Sequence, residues 1–271
     1  MSIHRHYIII LSLLIITPIP RAGAHGFIDQ QIASLSEQIE DAPRSLSLRL
    51  KRANHYRENG NMDSARSDIR FVLTLEPGQA EALMVLARLE RESKNFEVAQ
   101  VAIEEFITKN PGQSIALKER ALIFSEANQW AQAAVAWQTY LESATNPDPE
   151  SFLACSEAIQ KHNQKSTAPH RALEVIDAGL KLHPDVVSLN HRMASLLIQN
   201  GDSERAQTYF IASRKRYPTL KPRLFVEEAR IWQSHGWLNH ALIAYSNAQK
   251  SFDSLPLHKK SMPNSGKGVK R

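Results

Sequence analysis

Cysteine is almost missing from this chain: Cys155 is the only one in 271 residues. A single cysteine excludes an internal disulfide framework, a conventional zinc cluster and a lipid attachment near the start. Glycine is scarce too, at 10 residues, and no glycine-rich loop that could cradle a phosphate occurs. The His-Glu-x-x-His zinc motif and the glycine–serine nucleophile elbow are likewise absent from the sequence. Only one apolar run stands out, near the start. With 42% hydrophobic and 23% charged residues, the composition is that of a folded, helix-rich protein. On length alone the chain fits one large domain or two ordinary ones.

A positive field on the folded body is also lacking, despite a net charge of +5 and a pI near 9.3. Arg5 and Arg21 lie in the leader without an acid, and Lys259, Lys260, Lys267, Lys270 and Arg271 lie in the tail without one. Setting both aside leaves the body two charges negative. A nucleic-acid binder should carry its positive charge on the folded surface, so nucleic acid is not an expected partner. The tail, 254–271, is rich in Pro, Gly, Ser and Lys, a disorder-prone composition. Its membrane contact is expected to be peripheral at most, through basic residues near an anionic leaflet.

The apolar run is Ile8 to Ile16, preceded by Arg5 and broken by Pro18 and Pro20. A bilayer span needs about 20 apolar residues, so this run suits a secretory leader better. Ala22-Gly23-Ala24 supplies the small-x-small pattern that signal peptidase accepts. Residues 1–24 are expected to be a signal peptide, with His25 as the mature N-terminus. The protein is then exported, to the periplasm or beyond; an uncleaved anchor is the alternative.

Two stretches share punctuation: Pro77-Gly78-Gln79 returns as Pro111-Gly112-Gln113, 34 residues later. Proline also stands at Pro43, 34 residues earlier, and at Pro147, Pro184 and Pro218. Proline cannot continue a helix and biases the residue before it away from helical angles. A proline on this period marks the exit from one helix and the approach to the next.

Between prolines each unit holds two helical patterns separated by a polar turn. Leu48, Ala53 and Tyr56 precede the turn Glu58 to Asp63; Ala65, Ile69 and Val72 follow it. The set returns as Leu83, Leu86, Ala87, then Phe96, Ala99, Ile103 and Phe106, and again as Leu117, Ala121, Phe124, then Trp130, Ala133, Trp137 and Tyr140. Later copies are Ala194, Leu197, Ala206 and Phe210, then Ala229, Trp232, Ala241, Tyr245 and Ala248. Alanine followed four residues later by an apolar side chain puts both on one helix face. A weaker unit keeps Ala172 and Ile176 behind a longer turn, 161–170.

These residues resemble the tetratricopeptide repeat family, whose 34-residue unit carries small and aromatic residues on two helices and a closing proline. Here the leading tryptophan is absent and alanine replaces the family's glycine. The resemblance implies an all-α fold: a right-handed α-solenoid of stacked antiparallel helix hairpins, the tetratricopeptide superhelix. Repeats are expected at about 46–79, 80–113, 114–148, 149–186, 187–220 and 222–253. Residues 25–45, with Ile28, Ile32, Leu35 and Ile39 on one stripe, read as a half-repeat capping the open end.

The resemblance implies a non-enzymatic scaffold that binds a protein or peptide segment on the concave face lined by first helices. Lys51, Asn54, Arg57, Arg88, Arg91, Lys118, His191, Arg192 and Arg230 are the candidate contacts, interleaved with Glu58, Glu81, Glu92, Glu119 and Glu126. Ordinary solvated charge is the plainer reading of the same residues. The family's clamp for a C-terminal carboxylate is not expected, since only Asn54 matches while Leu50, Val85 and Glu119 take other clamp places. No cofactor or catalytic residue is expected. Cys155, beside Phe152 and Ile159 on an apolar side, reads as a small hydrophobe, and the four tryptophans read as core. The alternative function is copper handling: a mature N-terminal His25 offers an amine and an imidazole to copper(II).

Overall fold

A computed structural model describes residues 24–162 and 168–255. Among them are thirteen α-helices, a 3₁₀ turn at Pro218–Leu220 and no strand. The chain divides into two compact units, Met1–Pro77 and Gly78–Arg271. The leader 1–23, the middle of the longer turn at 163–167 and the tail from 256 lie outside the described residues.

The first unit holds α1 (Ala24–Asp41), α2 (Leu46–Glu58) and α3 (Met62–Leu75). On α1, Leu35 and Ile39 are buried while Ile28 and Ile32 are half-buried, and α1 packs on α2. The turn after α2 is fastened to α1, where Asn59 donates to Asp29 at 2.8 Å. The hairpin α2–α3 closes around Ala53, Ala65, Ile69 and Val72, all with no exposed surface. One residue departs from the expected pattern: Leu50 is buried and Leu48 only half-buried. Leu50, three residues before Ala53, shares its face with that alanine. Inside the same hairpin, Asp68 of α3 is buried and receives Arg49 at 3.1 Å and Arg52 at 2.7 Å. A carboxylate removed from water requires such partners.

The second unit continues with α4 (Ala80–Glu92), α5 (Phe96–Lys109), α6 (Ser114–Glu126), α7 (Trp130–Ser143) and α8 (Pro149–His162). After it come α9 (Ala168–Leu182), α10 (Val187–Gln199), α11 (Ser203–Arg216), α12 (Lys221–Ser234) and α13 (Leu238–Asp253). Each consecutive pair is a hairpin, and each hairpin packs on the next. First helices also touch one another directly, α4 with α6, α8 with α10 and α10 with α12. This is the stacking of an all-α solenoid. Ala99, Ala133, Ala172, Ala206 and Ala241 are all buried on second helices, where small side chains permit close helix approach. Trp137, Phe210 and Trp232 are the largest fully buried side chains, and Trp130 and Trp237 pack half-buried against the same core. Tyr245 departs from expectation. It is 37% exposed, because no described helix follows α13 to cover it.

The repeated punctuation resolves into helix ends. Glu76 and Asn110, the residues before Pro77 and Pro111, leave their helices at φ −131° and −133°, as a following proline favours. Gln79 and Gln113 are the N-caps of α4 and α6, and Gln79 accepts a hydrogen bond from Ala82 N at 2.5 Å. In the five hairpins whose inner turn is described, the turn after the first helix places Gly60, Lys94, Asn128, Gly201 and Gly236 at positive φ. The residue after each donates its N–H to the carbonyl five positions back, as Asn95 does to Glu90 at 2.7 Å and Trp237 to Trp232 at 2.9 Å. That bond and the left-handed residue together form the Schellman ending.

Lys94, at φ +62°, occupies a conformation that costs an L side chain about 1–2 kcal/mol. Lys94→Gly is expected to stabilise the fold by roughly 0.5–1 kcal/mol, after subtracting glycine's greater unfolded entropy. Urea denaturation checks this, with a higher midpoint at unchanged slope.

Candidate functional site

The second unit's first helices α4, α6, α8, α10 and α12 form the wall on which a partner surface was expected. Six of the nine candidate contacts lie there, and most are already engaged. Arg91 on α4 donates from Nε to Glu119 on α6 at 2.6 Å, and from Nη1 to Glu126. Arg88 approaches the other oxygen of Glu119 at 3.6 Å. Glu119 is 5% exposed, so a buried carboxylate binds two guanidinium groups from the preceding repeat. Burial works against the charged form of Arg91, and Glu119 and then Glu126 outweigh it, raising the net pKa above the ordinary arginine value.

The seam continues along the stack. Lys118 on α6 donates to Asp148, whose other oxygen accepts from the backbone N–H and the hydroxyl of Ser151, both at 3.0 Å, at the start of α8. On α10, Arg192 donates to Ser156 at 3.1 Å and Gln160 at 2.6 Å, both on α8. Its burial lowers the guanidinium pKa. His191, also on α10, lies 3.5 Å from Glu227 of α12 and meets Phe210 edge-on with ring centroids 5.6 Å apart. Burial depresses its pKa, against the pull of Glu227, so the imidazole is neutral at pH 7. Arg230 on α12 is exposed and makes no ion pair among the described residues.

The other three candidates lie on α2 in the first unit. Lys51 is exposed and also makes no ion pair among the described residues. Asn54 donates to the Leu50 carbonyl of its own helix at 3.2 Å. Arg57 is half-buried, 3.8 Å from Glu58. Leu50 and Val85, at the places a carboxylate clamp would use, are both buried.

Most of the candidate contacts on this wall are thus engaged in cross-repeat pairs. First helices of successive hairpins lie close enough for long side chains to reach the neighbouring carboxylate. Besides these groups the wall carries half-buried apolar side chains, Leu122 on α6 and Leu153 on α8, the latter one turn before Glu157, which pairs with Lys161 at 2.9 Å. Their signal in the sequence is that α6 carries apolar residues on more than one face, Ile115 and Leu122 besides Leu117, Ala121 and Ile123. On the other side of the second unit, α7, α8 and α9 enclose an apolar cleft of about 390 Å³, lined by Leu141, Pro147, Phe152, Val175 and Leu182.

Reactive chemistry is sparse. Cys155 has no exposed surface, and burial pushes its thiol up to about 12, far from the thiolate a nucleophile needs. Among the described residues no group of three or more His, Cys, Asp and Glu could hold a metal. His25 is the second residue of α1, and its side chain lies outside the described set. No described helix is long and apolar enough to cross a membrane.

A family model described as "Tetratricopeptide repeat" matches residues 50–99. Among solved structures, a tetratricopeptide repeat protein from Parabacteroides merdae is 16% identical, with a TM-score of 0.57 over 84% of this chain and 88% of that one. PilF from Pseudomonas aeruginosa is 15% identical, with a TM-score of 0.53 over 86% of this chain and 96% of that one. YrrB, described as having an unusual peptide-binding site, is 13% identical, with a TM-score of 0.51 over 69% and 93%. No curated protein matches the chain in sequence.

Asp148 provides a pH test of the seam. Burial disfavours its charge, but the hydrogen bonds from Lys118 and Ser151 prevail and hold its pKa below the ordinary carboxylate range. A depressed carboxylate stabilises the fold above its unfolded pKa and loses that contribution as pH falls through the folded value. Asp148→Ala is expected to cost about 1 kcal/mol at pH 7, mostly through the lost helix cap, because an ion pair this exposed is screened. Urea titrations of both proteins should show the gap narrowing below about pH 4; an equal gap at pH 7 and pH 3 contradicts this role.

Proposed function

We propose that this chain, whose residues 50–99 match the tetratricopeptide repeat model and which has the fold of solved repeat structures over most of its length, is a non-enzymatic scaffold of the cell envelope. It binds a segment of another protein along the wall of first helices. The observation that carries this reading is the pairing along that wall. Arg88 and Arg91 with Glu119, Lys118 with Asp148, and Arg192 with Ser156 and Gln160 tie α4 to α6, α6 to the start of α8, and α8 to α10. A wall held in one shape before its partner arrives loses little ordering entropy on binding.

Recognition then rests on what the staples leave open. Half-buried Leu122 and Leu153 suit apolar anchor side chains of an extended or helical segment. Charge attraction contributes little, so capture depends weakly on salt. The peptide-binding site described for YrrB, which shares the fold, supports a peptide-like partner. The unreactive Cys155 supports binding over catalysis. Export rests on the leader pattern Ile8 to Ala24.

A photo-crosslinking residue at Leu122 or Leu153 is expected to capture a partner protein in living cells. The same probe at Val135, exposed on α7, serves as the contrast. Adducts from Val135 and none from Leu122 or Leu153 would move binding to the second helices and sink the reading. Mass spectrometry of the isolated protein is expected to show His25 as the first residue. A chain still starting at Met1 would rule out cleavage.

A further inference from the structure

The end of the second unit is built differently from its interior. On α13, Leu238, Leu242, Tyr245, Gln249 and Phe252 recur at steps of four, three, four and three, which puts them on one helix face. Leu238 and Leu242 are 61% and 66% exposed, and Phe252 is 42% exposed. One hairpin earlier the equivalent face of α11 is covered by α12. Gln207, at the place of Leu242, donates to Glu228 of α12 at 3.2 Å. Phe210, at the place of Tyr245, lies against Trp232 with ring centroids 5.8 Å apart. Arg214, at the place of Gln249, pairs with Glu228. No described helix covers the face of α13. A terminal repeat facing water should be polar on its outer side, yet Leu242 stands where α11 has a glutamine.

We propose that this face is an interface with a second copy of the chain, formed by two α13 helices packed antiparallel about a two-fold axis at Tyr245. The stripe is self-complementary under that operation. Leu238 lies seven residues before Tyr245 and Phe252 seven after, so each meets the other across the axis. Leu242, three before, lies beside Gln249, four after, within the same stripe. An isologous contact requires this kind of match, one patch complementary to itself. Charge permits it: Lys250 and Asp253 are the only fully charged residues among the sixteen of α13, and neither belongs to the stripe. Antiparallel pairing also sets the two helix dipoles in opposition. The chain's own tail is a poorer occupant, since residues 256–271 bring five cations and no apolar stripe at helical spacing.

The test is cysteine cross-linking in the full chain. Tyr245→Cys puts a thiol on the axis, and the only other cysteine, Cys155, is buried. Mild oxidation is expected to give a covalent homodimer from Tyr245→Cys. None is expected from Ile243→Cys, which is exposed away from the stripe. Light scattering across a dilution series of the protein, as its host processes it, should show a dimer. Leu242→Arg should shift it to monomer with unchanged helical circular dichroism. The proposal is overturned by a wild-type monomer throughout the series, or by a dimer that Leu242→Arg leaves intact. A Tyr245→Cys adduct to another protein in place of the homodimer overturns it too, as does dimerisation only after removal of 256–271, which would assign the face to the tail.

Discussion

The fold depends on how closely two helices can approach where they cross. At each crossing the second helix places an alanine with almost no exposed surface: Ala65, Ala99, Ala133, Ala172, Ala206 and Ala241. The side chain four residues later, Ile69, Ile103, Trp137, Ile176 or Phe210, fills the space beside it and is itself fully buried. A larger residue at the alanine would push the helices apart and open voids around its neighbours, and overpacking of this kind costs about 1–3 kcal/mol. The large side chain, in turn, needs the close approach to be enclosed. Neither part of the pair is stable without the other, so the pair recurs as a unit, at a spacing set by the two helices and two turns that connect one crossing to the next.

Close approach of helices has an electrostatic consequence. Where helices meet, within a hairpin or between successive ones, long side chains reach across the seam and their charges leave bulk water together. The structure accommodates this in two ways. Glu119 and Asp68 are buried carboxylates with two arginines each. Glu228 is a buried carboxylate on which burial prevails: its pKa is raised even though Arg214, Trp232 and Gln207 all favour its charge. In the first two cases two cations share one carboxylate, so pairing compensates the lost hydration. In the third a single guanidinium, Arg214, forms the ion pair, and burial lowers its own pKa as well. Net stabilisation from such buried pairs is small, because desolvation offsets much of the attraction.

The recurring prolines, alanines and large apolar residues made the helices and much of the core legible, because each depends only on spacing within one or two helices. The exceptions share a cause. Leu48 and Leu50 differ by two positions on one short helix, and which of them turns inward depends on the neighbouring helix surface. Tyr245 sits in register with buried Ile69, Ile103, Trp137 and Phe210, yet is 37% exposed, because no described helix covers it. Arg88, Arg91, Lys118 and Arg192 were legible as residues of the first helices but not as staples. Periodicity tells which face a side chain leaves from; what it meets there belongs to the next repeat.

A repeat built this way treats its two ends unequally. On α1 the buried stripe of Leu35 and Ile39 is used internally, and the exposed positions are mostly polar or acidic: Asp29, Gln30, Glu37, Gln38 and Glu40. That helix can face water as it stands. On α13 the inner side is used by Ala241, Ala244 and Ala248, and a second apolar side remains. A helix with one apolar side has a place at the edge of a stack; a helix with two is an interior helix. Burying an exposed leucine is worth about 1.5–3 kcal/mol, and α13 holds Leu238 and Leu242 in water side by side with Phe252. The sequence of α13 is therefore that of a helix suited to cover on both sides.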